Sequence, residues 1–187
     1  MSYRFILMAA GVAGLSLGMV DTSHADIWVK DPTTGCQVWS GDDGTSKEII
    51  SWSGACADDK AIGMGTLVTT DIDGLALVFN GEMYFGDMND GARDGFGTLV
   101  HANDDSYVGE FEKGVASGVG IYEYDNGGLV MGEYAAGAPN GRATVIDAND
   151  VAYQGVFKDG QADGLILVTK ADGSQSVETW VNGEKQE

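Results

Sequence analysis

Apolar and polar positions alternate at a spacing of two through the second half of the chain. Tyr107, Gly109 and Phe111 fall on one face of one predicted strand, and Gly118, Gly120 and Tyr122 on one face of the next. The pattern returns every 23 residues. Tyr84, Tyr107, Val130, Tyr153 and Ser176 occupy one column, followed two positions on by Gly86, Gly109, Gly132, Gly155 and Glu178. Four positions on stand Met88, Phe111, Tyr134, Phe157 and Trp180; seven on stand Gly91, Gly114, Gly137, Gly160 and Gly183. Eleven on are Gly95, Gly118, Gly141 and Gly164, and thirteen on are Gly97, Gly120, Ala143 and Ile166. Nineteen residues into each unit comes a turn pair: Asn103-Asp104, Asn126-Gly127, Asn149-Asp150 and Asp172-Gly173. Such pairs tolerate the positive φ of tight hairpin turns. Each unit therefore reads as two antiparallel strands, with a glycine-bearing link such as 112–117 leading to the next. A period of this length marks a repeat architecture, in which each unit buries its apolar face by stacking on its neighbours.

The 29 glycines exclude a helical solenoid, because each would cost a helix up to about 1 kcal/mol. In a strand, glycine marks a place where a ring or another backbone comes close. Each Tyr or Phe is expected to lie across neighbouring glycines, in the space a β-carbon would fill. The fold class expected is all-β, an elongated, twisted antiparallel meander of hairpins in a single sheet. Trp52 opens a degenerate first unit with Gly54, Cys56, Gly63 and Gly65. The distance from Trp52 to Tyr84 exceeds the period, and the surplus falls around residues 70–81. The organisation expected is a signal peptide over 1–25, an N-terminal cap over 26–51, about five repeats plus a half-repeat over 52–183, and a tail over 184–187.

The leader rests on Arg4 followed by an uncharged apolar run from Phe5 to Val20, with Ser23-His24-Ala25 placing small residues for cleavage before Asp26. That run is shorter than the ~20 residues a membrane span needs. Export makes a disulfide the natural reading of Cys36 and Cys56, worth roughly 3 kcal/mol in the chain-entropy model. The chain is then expected in the periplasm or secreted. The net charge is −19, with 29 acidic and 10 basic residues. Such a surface disfavours nucleic acid and anionic lipid, both held mainly through Lys and Arg.

Chemistry has little to start from. His101 occupies a strand position beside a turn, and the two thiols are expected to be paired. Acidic residues are spread over most turns, as on a solvated rim, although a hydrolase using paired carboxylates would draw on them. Asp71-Ile72-Asp73-Gly74 and Asn89-Asp90-Gly91 resemble fragments of calcium loops but lack the full ligand spacing. Neither catalytic residue, metal nor cofactor is expected.

The phrase Tyr-x-Gly-x-Phe-x-x-Gly-x-x-x-Gly-x-Gly, complete over 107–120 and nearly so over 84–97, resembles the MORN repeat. The resemblance extends over about 52–183 and implies a meander of hairpins that serves protein–protein interaction or self-association. The front segment, with its Trp-Ser-Gly-x-Cys phrase, is similar to exported bacterial proteins carrying such repeats. Phospholipid attachment, known in some eukaryotic members, sits poorly with the acidic surface. Val130, Met88, Cys56, Ala143 and Ile166 depart from the pattern.

The candidate partner-binding residues are Tyr84, Tyr107, Phe111, Tyr122, Tyr134, Tyr153, Phe157 and Trp180, of which Tyr107, Phe111, Tyr122, Tyr134, Tyr153 and Phe157 are read as exposed rings aligned along one side of the sheet. Each ring could instead cover only its own glycines and be structural. A protein partner or a second copy paired at a sheet edge is the expected ligand. The alternative is a carbohydrate or other cell-envelope component stacking on the same rings.

Overall fold

The computed structural model of the chain describes residues 27–40, 48–73, 76–77 and 81–187, so the expected leader over 1–25 lies outside the described residues. The described residues form strands and turns with no helix. They divide into two compact units, one ending at Val115 and the other running from Ala116 to Glu187.

The first unit contains β1 (Ile27–Lys30), β2 (Gln37–Ser40), β3 (Glu48–Trp52), β4 (Ala55–Ala57), β5 (Lys60–Asp73), β6 (Ala76–Leu77), β7 (Met83–Asn89), β8 (Ala92–Val100) and β9 (Ser106–Glu112). The second contains β10 (Val115–Glu123), β11 (Leu129–Ala135), β12 (Ala138–Ile146), β13 (Ala152–Lys158), β14 (Gln161–Ala162), β15 (Gly164–Thr169), β16 (Gln175–Val181) and β17 (Glu184–Lys185). Strands β3, β5, β7, β8 and β9 pair antiparallel in that order. So do β10, β11, β12, β13, β15, β16 and β17, with β14 pairing the end of β13. One contact departs from the antiparallel expectation: β2 meets β5 in parallel at Gln37 and Lys60. The residues by which the first unit exceeds the period lengthen β5, which folds back on β6 through Ile72 and Leu77.

Register explains the repeat. Glycines face one another across the strands: Gly65 faces Gly86, Gly86 faces Gly97, and Gly97 faces Gly109. On the same face, one alternation along, Trp52, Leu67, Tyr84, Leu99 and Tyr107 form a row of large side chains. On the other side of the glycines, Gly95 faces Phe111, Gly141 faces Phe157 and Gly164 faces Trp180. Gly95 and Gly141 sit at register shifts, where β8 and β12 each hold extra residues against β7 and β11. Their φ values of 105° and 126° belong to a region closed to most side chains. A bulge at this position bends and twists each strand in turn.

The links between strands correct one expectation. The glycine seven positions into each unit is the second residue of a two-residue turn with both φ values positive: Asp90-Gly91, Lys113-Gly114, Ala136-Gly137, Asp159-Gly160 and Asn182-Gly183. The tight hairpin is therefore here, and the Asn/Asp pairs nineteen positions in belong to longer turns. Each of these turn glycines also donates its N–H backwards, Gly114 to Arg93 O at 2.8 Å, Gly137 to Ala116 O at 3.0 Å, Gly160 to Pro139 O at 2.8 Å and Gly183 to Ala162 O at 2.9 Å.

The β1–β2 hairpin packs against the turns of the first unit. A β-carbon on Gly91 would lie 2.5 Å from the Trp28 ring, and one on Gly114 would lie 2.5 Å from the Trp39 ring. The Trp39 N–H donates to Gly91 O at 2.8 Å. Cys36 and Cys56 form the expected disulfide, their Cα atoms 5.8 Å apart, and tie this hairpin to β4. Asp31, buried at 2% exposure, completes the attachment. Its carboxylate accepts from the N–H groups of Thr33 at 2.7 Å, Thr34 at 3.1 Å and Trp52 at 2.8 Å.

Candidate interaction surfaces

The candidate rings turn mostly inward. Tyr84, Tyr107, Phe111, Tyr134, Phe157 and Trp180 are buried, and Tyr122 and Tyr153 are half-buried. The expectation of exposed rings is corrected for Tyr107, Phe111, Tyr134 and Phe157, and Tyr84 shows how glycines let a ring sink onto the sheet. A β-carbon on Gly97 would stand 2.5 Å from Tyr84 Oη, and one on Gly86 would meet the same atom at 2.5 Å. Trp52 covers Gly54 and Gly65 in the same way. The ring lies so low on the sheet that its own strand and the facing strand both need hydrogen at those positions.

The departures from the motif obey this geometry. Where Val130 replaces the leading ring, position 143 carries a methyl, and Ala143 faces Gly132. Ile166 places its Cδ1 over Gly155, within 2.5 Å of where a β-carbon would be, while Tyr153 packs edge-on against Trp180 at 6.2 Å. With Ser176 leading the last half-repeat, Glu178 replaces glycine and accepts from Trp180 Nε1 at 3.2 Å. Phe157, Ile166, Val168 and Trp180 share one buried cluster in the second unit.

In the first unit, Phe111 meets Tyr84 and Tyr107 edge to face at 5.3 and 5.1 Å. The Arg93 guanidinium lies over Tyr84 and Phe111 at 5.9 and 5.8 Å. Glu82 joins it, with Oε2 3.5 Å from Arg93 and Oε1 2.7 Å from His101 Nδ1. Burial raises the Glu82 carboxyl, but the His101 hydrogen bond and the Arg93 charge outweigh it and hold the group below its ordinary range. Of these, Glu82, Tyr84 and Arg93 border a cavity of about 280 Å³ between the β1–β2 hairpin and the sheet, lined also by Val29, Trp39 and Glu48 among others.

The buried hydroxyls make a measurable prediction. Tyr84 donates to Asp87 O at 2.8 Å and Tyr107 to Glu110 O at 3.1 Å, the same contact one period apart. Burial pushes both phenols up to about 12, with Arg93 opposing and Asp87 and Asp94 adding at Tyr84, and Glu110 adding at Tyr107. In the unfolded chain they ionise near 10. Stability contributed by keeping them neutral is therefore complete below pH 10 and is lost as pH rises from 10 toward 12. Urea midpoints across that window should fall steeply for the wild type. In Tyr84→Phe/Tyr107→Phe the fall should be shallower, after a cost of about 1 kcal/mol per lost hydroxyl bond at neutral pH. Parallel pH profiles for the two proteins would contradict this assignment.

Sequence reasoning missed two features. Asp31 was visible only as part of an Asp-Pro-Thr-Thr-Gly turn, which gives no hint of its bond to Trp52 across the fold. The face opposite the rings was also missed in each unit. Phe85, Phe96 and Met64 in the first unit, and Leu165 and Val177 in the second, have more than half of their surface exposed. Their alternation with the ring and glycine positions carried the signal.

A hairpin in which a ring lies over paired glycines, returning in phase, defines a class of β-hairpin repeat proteins. The family model for the MORN repeat matches residues 84–106, 107–129 and 153–165, so the chain carries MORN repeats at these three segments. The interval between the second and third matches is the one that carries Val130 and Ala143. No curated protein matches the chain. MORN repeats are generally protein- or membrane-interaction modules and are typically non-enzymatic.

Proposed function

We propose that the chain is an exported, non-enzymatic MORN-repeat module mediating protein–protein interaction or self-association in the cell envelope. The observation that carries the reading is the outer edge of β16. Among the described residues β16 pairs along β15, but on its other side β17 reaches only Trp180 and Val181. Gln186 N–H bonds Thr179 O at 2.8 Å, and no strand pairs the outer edge over 175–178 among the described residues. An edge of this kind is a template for another strand. Tyr122 and Tyr153, the half-buried members of the ring set, are the aromatic contacts we propose; the six buried rings act by holding the strands in register. The Cys36–Cys56 disulfide supports an extracellular or periplasmic location.

Because Thr179 O points outward, the N–H of Val177, two residues back, points outward as well. Val177→Pro removes an outward donor while leaving the β15 bonds in place, and edge strands tolerate proline. Sedimentation velocity should show concentration-dependent dimers at micromolar levels for the wild type and monomers for Val177→Pro. A strictly monomeric wild type at high micromolar concentration removes self-association, leaving a different protein as the partner. Affinity capture from envelope extract then tests that partner, and a specific capture should fail in a folded Tyr122→Ala/Tyr153→Ala variant.

The cavity beside Arg93 favours a second reading, a small envelope ligand such as a sugar. Its volume is near the lower limit for small-molecule sites, and it brings rings and charges together. Envelope sugars should then raise the melting temperature of the wild type and not that of Arg93→Ala.

A further inference from the structure

The face of the first unit opposite its rings is an ordered apolar grid. Thr66 faces Phe85, Phe85 faces Thr98, and Thr98 faces Val108. One alternation along, Met64 faces Asp87 and Phe96 faces Glu110; in the other direction, Val68, Met83, Val100 and Ser106 line up. Met64 and Phe96 are each 59% exposed and Phe85 is 56% exposed. Phe85 and Phe96 are diagonal neighbours across β7 and β8, within reach of each other's rings. Four strands and three rows cover roughly 14 by 14 Å at ordinary sheet spacings. An apolar surface of this kind, centred on two exposed phenylalanines, has the composition of an interaction site.

Charge decides what can cover it. Asp87 and Glu110 stand in the grid itself, Glu112 follows on β9, and no Lys or Arg occupies the alternate positions of β7, β8 and β9 that share this face. The whole chain carries −19. A second copy would bring the same carboxylates against these, and an anionic membrane would be repelled. A basic partner gains attraction at the rim and burial at the centre. Sheets in globular domains cover an apolar face with a helix or a second sheet, and 14 Å accommodates about two and a half turns of helix.

We propose that this face of β5, β7, β8 and β9 docks a cationic amphipathic helix of a partner protein, its apolar side on Phe85, Phe96 and Met64 and its Lys or Arg residues beside Asp87 and Glu110. The proposal rests on the protein-interaction reading and names the surface and the chemistry of the partner. The probe is a synthetic 18-residue Leu/Lys amphipathic helix, titrated calorimetrically into the full chain beside a Leu/Glu peptide of identical pattern. The Leu/Lys helix should bind at micromolar Kd and the Leu/Glu helix at least tenfold more weakly. Phe85→Ser/Phe96→Ser, at exposed positions, should keep the wild-type melting temperature and lose at least tenfold in affinity. Thr98→Arg, which places a cation in the centre of the grid, should do the same.

Equal binding by the wild type and both variants would overturn the proposal, since it would mean the peptide coats the acidic surface without using this face. Dimerisation of the wild type that is lost in Phe85→Ser/Phe96→Ser would also overturn it, in favour of a second copy as occupant. If Tyr122/Tyr153-dependent capture of a partner survives while the helix fails to bind, this surface is wrong and the interaction reading stands. If the helix binds as described while capture and self-association both fail, the β16 edge is wrong and this face remains.

Discussion

Gly97→Ala is expected to destabilise the chain by about 2–3 kcal/mol, although a methyl group is among the smallest changes a strand can receive. The new β-carbon would stand 2.5 Å from Tyr84 Oη and 2.6 Å from Tyr84 Cζ. The ring cannot rise without losing its hydroxyl bond to Asp87 O. Tyr84→Val alone should cost a similar amount or more by leaving a cavity. The double variant Tyr84→Val/Gly97→Ala should cost less than the two together, by at least 1 kcal/mol, because the chain already uses that combination at Val130 and Ala143. Urea denaturation of the four proteins measures the coupling. Additive costs would show that ring and glycine are not one unit.

Asp31→Ala is expected to cost about 2–4 kcal/mol at neutral pH, since it orphans the Trp52 N–H and releases two turn amides. Burial raises the Asp31 carboxyl, but hydrogen bonds from Trp52, Thr33 and Thr34 outweigh it and hold the group below its ordinary range. A lowered carboxyl contributes stability that is present above its unfolded value and disappears as pH falls through the folded one. The difference in unfolding free energy between wild type and Asp31→Ala should therefore be constant from pH 7 to about pH 5 and shrink below pH 4. A difference that persists unchanged to pH 2 would assign the loss to packing alone.

How much of this the sequence disclosed depends on the range of each interaction. The hairpins, the ring-over-glycine contact and the disulfide were legible, because period and alternation place those residues without knowledge of the fold. The two turn types were interchanged, since Asn-Gly and Asp-Gly satisfy either and only the backward hydrogen bond of Gly114 or Gly137 separates them. The rings were expected to face solvent. A period identifies which residues share a face, but burial depends on how closely the ring lies on Gly86 and Gly97, which only coordinates give. Asp31 was invisible for a different reason: its partner Trp52 is 21 residues away and is held by a backbone amide that no side-chain pattern marks.

The backward bond from each turn glycine has a consequence for how such a protein can change length. Gly114, Gly137, Gly160 and Gly183 each find their acceptor 21 residues earlier, on the preceding repeat. A duplicated 23-residue stretch would meet an acceptor already in position, and an excised one would leave the same junction behind. Growth or shrinkage by whole multiples therefore creates no new kind of joint, whereas a stray residue within the ladder would misalign every later turn. The surplus that this chain does carry lengthens β5 and adds β6, which pair at Ile72–Leu77 and Asp73–Ala76.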